Sequence, residues 1–78
     1  MPTHKQQRRR ALELLEASID GCTEAIMLAH GISVELMVEL VRAGLAMAKA
    51  ERVVAAGRTI EVARVRITEA GRLALAFQ

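Results

Sequence analysis

Apolar residues recur along the first quarter of the chain at helical spacing. Leu12, Leu15 and Ile19 lie three and four positions apart, with Ala11 and Leu14 beside them. Arg8, Arg9, Arg10, Glu13 and Glu16 fill much of the remaining circumference. This period predicts an amphipathic helix over residues 6–18. The run Ser18-Ile19-Asp20-Gly21 ends it, with Gly21 free to turn left-handed. Thr23 is a candidate N-cap for a short second helix over residues 24–29, with Glu24 favourably placed at its first turn. Ala25, Ile26, Met27, Leu28 and Ala29 make that helix apolar almost all round, which predicts burial. His30-Gly31-Ile32 interrupts the pattern, and Ser33 caps a third helix running to about residue 43. Its inner face is Leu36, Met37, Leu40 and Val41. Its outer face is Val34, Glu35, Val38, Glu39 and Arg42, and Gly44 closes it.

The pattern then changes period. Val65 and Ile67 alternate with Arg64 and Arg66 in a segment rich in β-branched residues, which predicts a strand over residues 59–67. Ile60 and Val62 break that phase and predict a twist or bulge near Ala63. A lone strand leaves its backbone unpaired, so it requires a mate. Residues 45–56 are helical by propensity, yet they are the one segment able to pair with 59–67 across a turn at Ala56-Gly57. A strand over residues 46–54 follows. The competing reading keeps 45–56 helical and yields an all-helical bundle with one extended excursion. Thr68 caps a last helix that turns Ala70, Leu73 and Phe77 inward. The expected fold is mainly α with a small β-hairpin (α+β), in the order helix-helix-helix-strand-strand-helix. Residues 1–7 are expected as a basic flexible N-terminal arm and residues 8–78 as a single domain; a solvated first helical turn is the other reading of the basic start.

Size and composition narrow the classes. A domain of 78 residues buries only about 60% of its unfolded surface, so its stability is thin. Self-association through helix one or the C-terminal helix ending in Phe77 would add burial, and a homodimer is expected. Met27, Met37 and Met47 read as core filler. Cys22 is the sole cysteine, which excludes an internal disulfide and fits a reducing cytoplasm, with no zinc site. No apolar run approaches the ~20 residues of a membrane span, and the basic start MPTHKQQRRR lacks the apolar stretch of a signal peptide. Phe77 is the single aromatic, which disfavours base-stacking on single strands. Charge is segregated: residues 1–10 carry net +4, residues 20–41 carry net −4, and residues 42–78 return to net +4. Such asymmetry bears on partners.

Three stretches carry a resemblance. Ala29-His30-Gly31-Ile32-Ser33 looks like a tight corner between two helices. Leu40-Val41-Arg42-Ala43-Gly44-Leu45 looks like the exit from a recognition helix into a first wing strand. Ile67-Thr68-Glu69-Ala70-Gly71-Arg72 looks like a strand-to-helix junction after a wing. Over residues 8–77 the chain resembles a winged helix-turn-helix domain, most like the multiple-antibiotic-resistance-regulator type of bacterial transcription factor. The resemblance implies binding of double-stranded DNA and transcriptional regulation, with helix three in the major groove. It implies contacts from Ser33 at the helix start and Arg58 at the wing tip, with a backbone contact from Arg42; the N-terminal Lys5, Arg8, Arg9 and Arg10 would add phosphate contacts.

The residues themselves leave a second function open. The outer face of helix three presents Glu35 and Glu39, and Arg42 is its first residue of a type common in base readout. Two carboxylates facing phosphates repel, whereas Val34 and Val38 beside Glu35 and Glu39 suit a protein partner. The alternative is thus a protein–protein interaction module with no DNA binding. An enzyme is not expected. Asp20, Cys22 and His30 are close in sequence, but no oxyanion device or phosphate-cradling loop accompanies them. No cofactor, metal or membrane association is implied.

Overall fold

The computed structural model describes residues 3–77. Helix α1 (His4–Ala17) opens on Thr3. The Thr3 hydroxyl accepts from the Gln6 amide, and the Gln6 side chain accepts from the Thr3 amide. This reciprocal box satisfies two of the amides that a helix start leaves unpaired. It carries the helix back to His4, so residues 4–7 are helical where a flexible arm was expected. Met1 and Pro2, the rest of that arm, and Gln78 lie outside the described residues.

The chain continues through strand β1 (Cys22–Thr23), helix α2 (Glu24–Ala29), helix α3 (Val34–Arg42), strands β2 (Ala46–Ala55) and β3 (Arg58–Ile67), and helix α4 (Glu69–Ala76). The result is a small α+β domain with four helices and a three-stranded antiparallel sheet of order β1-β3-β2. Thr23, Ser33 and Thr68 cap α2, α3 and α4, their hydroxyls accepting from Ile26, Leu36 and Gly71 amides at 3.3, 3.2 and 3.1 Å. The segment with helical propensity is strand, because β3 offers it a full hydrogen-bonding ladder.

The β2–β3 ribbon pairs without interruption from Ala46 opposite Ile67 to Ala55 opposite Arg58. The expected bulge near Ala63 is therefore absent. Ile60 and Val62 share a face with Arg64 and Arg66, while Val65 and Ile67 look inward. The mixed phase has a physical reason. The helices meet the inner half of the ribbon, α2 reaching Glu61 and Val62 at its limit, so nothing nearer the tip enforces alternating burial. At the far end Ala56 and Gly57 both take positive φ, 53° and 75°, as a two-residue type I′ turn requires.

The core sits where α1, α2 and α3 close over the ribbon's base. Leu12, Leu15, Met27 and Leu40 are fully buried, with Cys22, Ala46, Val65 and Ile67 below them. Five facing expectations need correction. Met47, read as core filler, is exposed, because it shares the outward ribbon face with Arg66. Ile19 is 96% exposed, because α1 ends at Ala17. Val41 is exposed, at the edge of the buried face of α3. Helix α2 buries Met27 alone and leaves Ile26 and Leu28 half exposed, since six residues touch the core on one side only. Helix α4 buries Gly71 and packs Leu75, while Leu73 and Phe77 face out, Phe77 at 84% exposure. Its crossing point decides this: a Cβ at position 71 would strike the Leu45 carbonyl oxygen and Ile67 Cγ1. The glycine lets backbone approach backbone and rotates Ala70, Leu73 and Phe77 away. Among the described residues, no helix is long and apolar enough to cross a membrane.

Candidate nucleic-acid interface

Helix α3 forms a ridge between two grooves. One, of about 330 Å³, lies between α3 and the ribbon and is lined by Val34, Val38, Val41, Ala48 and Ala63 together with Glu24 and Arg42. The other is wider and lined by Arg8, Val34, Glu35, Val38, Glu39 and Arg42. Val34, Val38 and Arg42 border both, so they form the crest, as their spacing of four dictates. Ser33 starts the ridge. Its oxygen accepts from the Leu36 amide, which leaves its own O–H free to donate outward.

The two glutamates of α3 are not equivalent. Glu39 accepts from His4 Nε2 at 2.9 Å and from Arg8 Nη2 at 3.4 Å. Helix α1 thus supplies a hydrogen bond from His4 and counter-charge from Arg8 to the middle of α3. Glu35 has no ion-pair partner among the described residues. Arg8 is consequently part of the α1–α3 joint, with its Nε buried and without a hydrogen-bond partner. Arg9 sits 3.9 Å from Glu13, an exposed pair of adjacent helical turns that adds little. Arg10 lies beside Glu13, Leu14, His30 and Ile32. Arg72, in α4, is held by Glu16 of α1 at 3.3 Å.

Most of the free positive charge is on the ribbon. Residues 46–67 hold Lys49, Arg52, Arg58, Arg64 and Arg66 against Glu51 and Glu61, a net +3. Arg64 Nε donates to Glu51 Oε2 at 2.8 Å. That hydrogen bond holds the Glu51 carboxyl below its ordinary value and raises Arg64 above its own. Lys49, Arg52, Arg58 and Arg66 have no ion-pair partner among the described residues. Register places Arg52 on the ribbon face that looks toward α3, while Arg58 immediately follows the turn at the tip. Lys49 and Arg66 occupy the opposite face with the Arg64–Glu51 pair.

The structure therefore gathers Ser33, Val34, Glu35, Val38 and Arg42 on one ridge and sends Arg58 out on the ribbon beside it. It commits Arg8 and Glu39 to each other. Lys49, Arg52 and Arg66 were missed by sequence reasoning; charge counted over the ribbon alone would have found them. His4 carried no signal, being 35 positions from Glu39. Cys22 is buried, with Sγ 3.0 Å from Ser18 Oγ, and His30 is exposed at the end of α2. Among the described residues no three His, Cys, Asp or Glu side chains gather as a metal site would require. Comparison with protein-family models, with curated proteins and with solved structures finds no match to this chain.

Proposed function

We propose that this chain is a winged helix-turn-helix domain that binds double-stranded DNA and serves as a small transcriptional regulator. The crest of α3 enters the major groove and the ribbon acts as the wing. The observation that carries this reading is the net +3 ribbon, with Arg58 at its tip, standing beside an exposed ridge. Val34 and Val38 offer apolar contact to thymine methyl groups, and Arg42 reaches a phosphate or a guanine. The pairing of Glu39 with His4 and Arg8 removes one of the two carboxylates that would repel the duplex.

The test is fluorescence anisotropy with a random-sequence duplex across a salt series. Contacts from Arg42, Arg52 and Arg58 correspond to about three neutralised phosphates, giving a log–log salt slope of about −3. Arg58→Ala weakens binding and brings the slope closer to zero by about 0.9. Absence of binding at about 20 mM salt, where this counterion term is strongest, refutes the proposal.

A second reading rests on the apolar groove. Val34, Val38 and Val41 are each partly exposed along it, and they suit an apolar segment of a protein partner. This interaction-module reading gains support if the duplex fails to bind while Val38→Asp abolishes capture of a protein.

A further inference from the structure

Strand β2 is the outer strand of its sheet, and its second edge is unpaired along ten residues among those described. Edges that stay free are usually short, bulged, interrupted by proline or guarded by charged side chains of one sign. This one is long, regular in register and free of proline, and its adjacent charges, Lys49 and Glu51, are of opposite sign and so can complement a second copy of the same edge. We infer that the β2 edge is a homodimer interface, at which β2 of a second copy pairs antiparallel about a two-fold axis at Ala50.

The register follows from hydrogen-bond phase and charge. The two-residue turn makes Ala55–Arg58 a hydrogen-bonded pair, and such pairs alternate along the ribbon. The odd-numbered residues of β2 therefore direct N–H and C=O toward β3. Ala46, Ala48, Ala50, Arg52 and Val54 direct theirs to the free edge. A two-fold antiparallel partner must match outward residue with outward residue, so the axis falls on a single residue of the strand. Centring on Lys49 sets that lysine against its own copy. Centring on Glu51 does the same for that glutamate. Centring on Ala50 sets Lys49 of each copy opposite Glu51 of the other, and Met47 opposite Val53. Opposed charges and opposed apolar pairs favour this register over both neighbours. It pairs nine residues of each strand and satisfies about ten backbone groups per copy that otherwise face water. It also covers Met47 and Val54, which are 59% and 76% exposed in one copy.

This inference goes beyond DNA binding and is tested without DNA, by sedimentation equilibrium of the full chain from about 1 to 500 µM, a range that brackets modest edge pairing. The wild type is expected to be a dimer at the upper end. Lys49→Glu sets glutamate against glutamate twice and should weaken the dimer at least about tenfold. In one copy that variant stays beside Arg64, so circular dichroism should be unchanged. Glu51→Lys should weaken it likewise, and an equimolar mixture of the two variants should restore association as a heterodimer. Ala50→Pro removes an outward N–H without touching the β2–β3 ladder and should leave a folded monomer. A wild type that stays monomeric throughout overturns the inference. So does association that survives Ala50→Pro and is lost on Phe77→Ser, or a mixture no tighter than its components.

Discussion

Gly71→Ala sets two effects of opposite sign against each other. In an open helix the change gains about 1 kcal/mol, because alanine is the better helix former. Here the new methyl would fall on the Leu45 carbonyl oxygen and on Ile67 Cγ1. The side chain can give a little, but the carbonyl cannot. It accepts the Thr68 amide at 3.1 Å, and Thr68 Oγ1 in turn donates to the Gly44 carbonyl at 2.6 Å. Lifting α4 to make room strains both bonds as well as the packing of Leu75. Overpacking of this kind costs about 1–3 kcal/mol, and contact with backbone puts this site at the upper end. The expected net loss is about 1–2 kcal/mol. In a domain of this size each kcal/mol lowers Tm by about 4–8 °C, so the melting point should drop by about 10 °C. Thermal melts followed by far-UV circular dichroism read this directly. An unchanged or raised Tm would show that α4 does not cross the Leu45 backbone this closely.

Two further outcomes are expected. Ala56 sits at φ 53° in the type I′ turn, a left-handed region costly for alanine but tolerated by asparagine, whose short polar side chain hydrogen-bonds locally, so Ala56→Asn should stabilise the domain by about 0.5–1 kcal/mol in urea denaturation. The Glu51 carboxyl is held below its ordinary value by the Arg64 hydrogen bond, so its contribution is complete above about pH 4.5 and is lost as pH falls through the folded-state value. Denaturation of wild type and Glu51→Gln should therefore differ near neutrality and converge in acid; parallel curves throughout would remove the pair from the account.

What could be read from the sequence was local chemistry. Thr23, Ser33 and Thr68 announce their helices because a cap is decided within three residues. The ribbon could be found by elimination, since a strand demands a mate. Strand β1 could not, because two residues have no period. It exists because the chain after α1 presses onto β3, where a Cβ at Gly21 would meet the Val65 carbonyl oxygen. The facing of α4 was hidden for a similar reason: a glycine at the closest approach turns the larger apolar residues outward, against the rule that they point in. At the candidate interface, the places of Ser33 before α3, Arg42 at its end and Arg58 after the ribbon turn followed from the helix cap and the turn. The tie between Glu39 and α1 was not, because it joins residues that only the fold brings together.

The ribbon divides into two mechanically different halves. Near Ala46 and Ile67 it is clamped by the helices, and α2 reaches as far as Glu61 and Val62, but from Val54 and Ile60 to the turn its residues are exposed. In a single copy the outer part is held by its own rungs and by the turn at Ala56-Gly57. It can bend, twist or fray from the tip while the body stays folded, as a cantilever moves about its anchorage. Whatever surface the ribbon meets, Arg58 can adjust to its curvature without disturbing Leu12, Leu15 or Leu40.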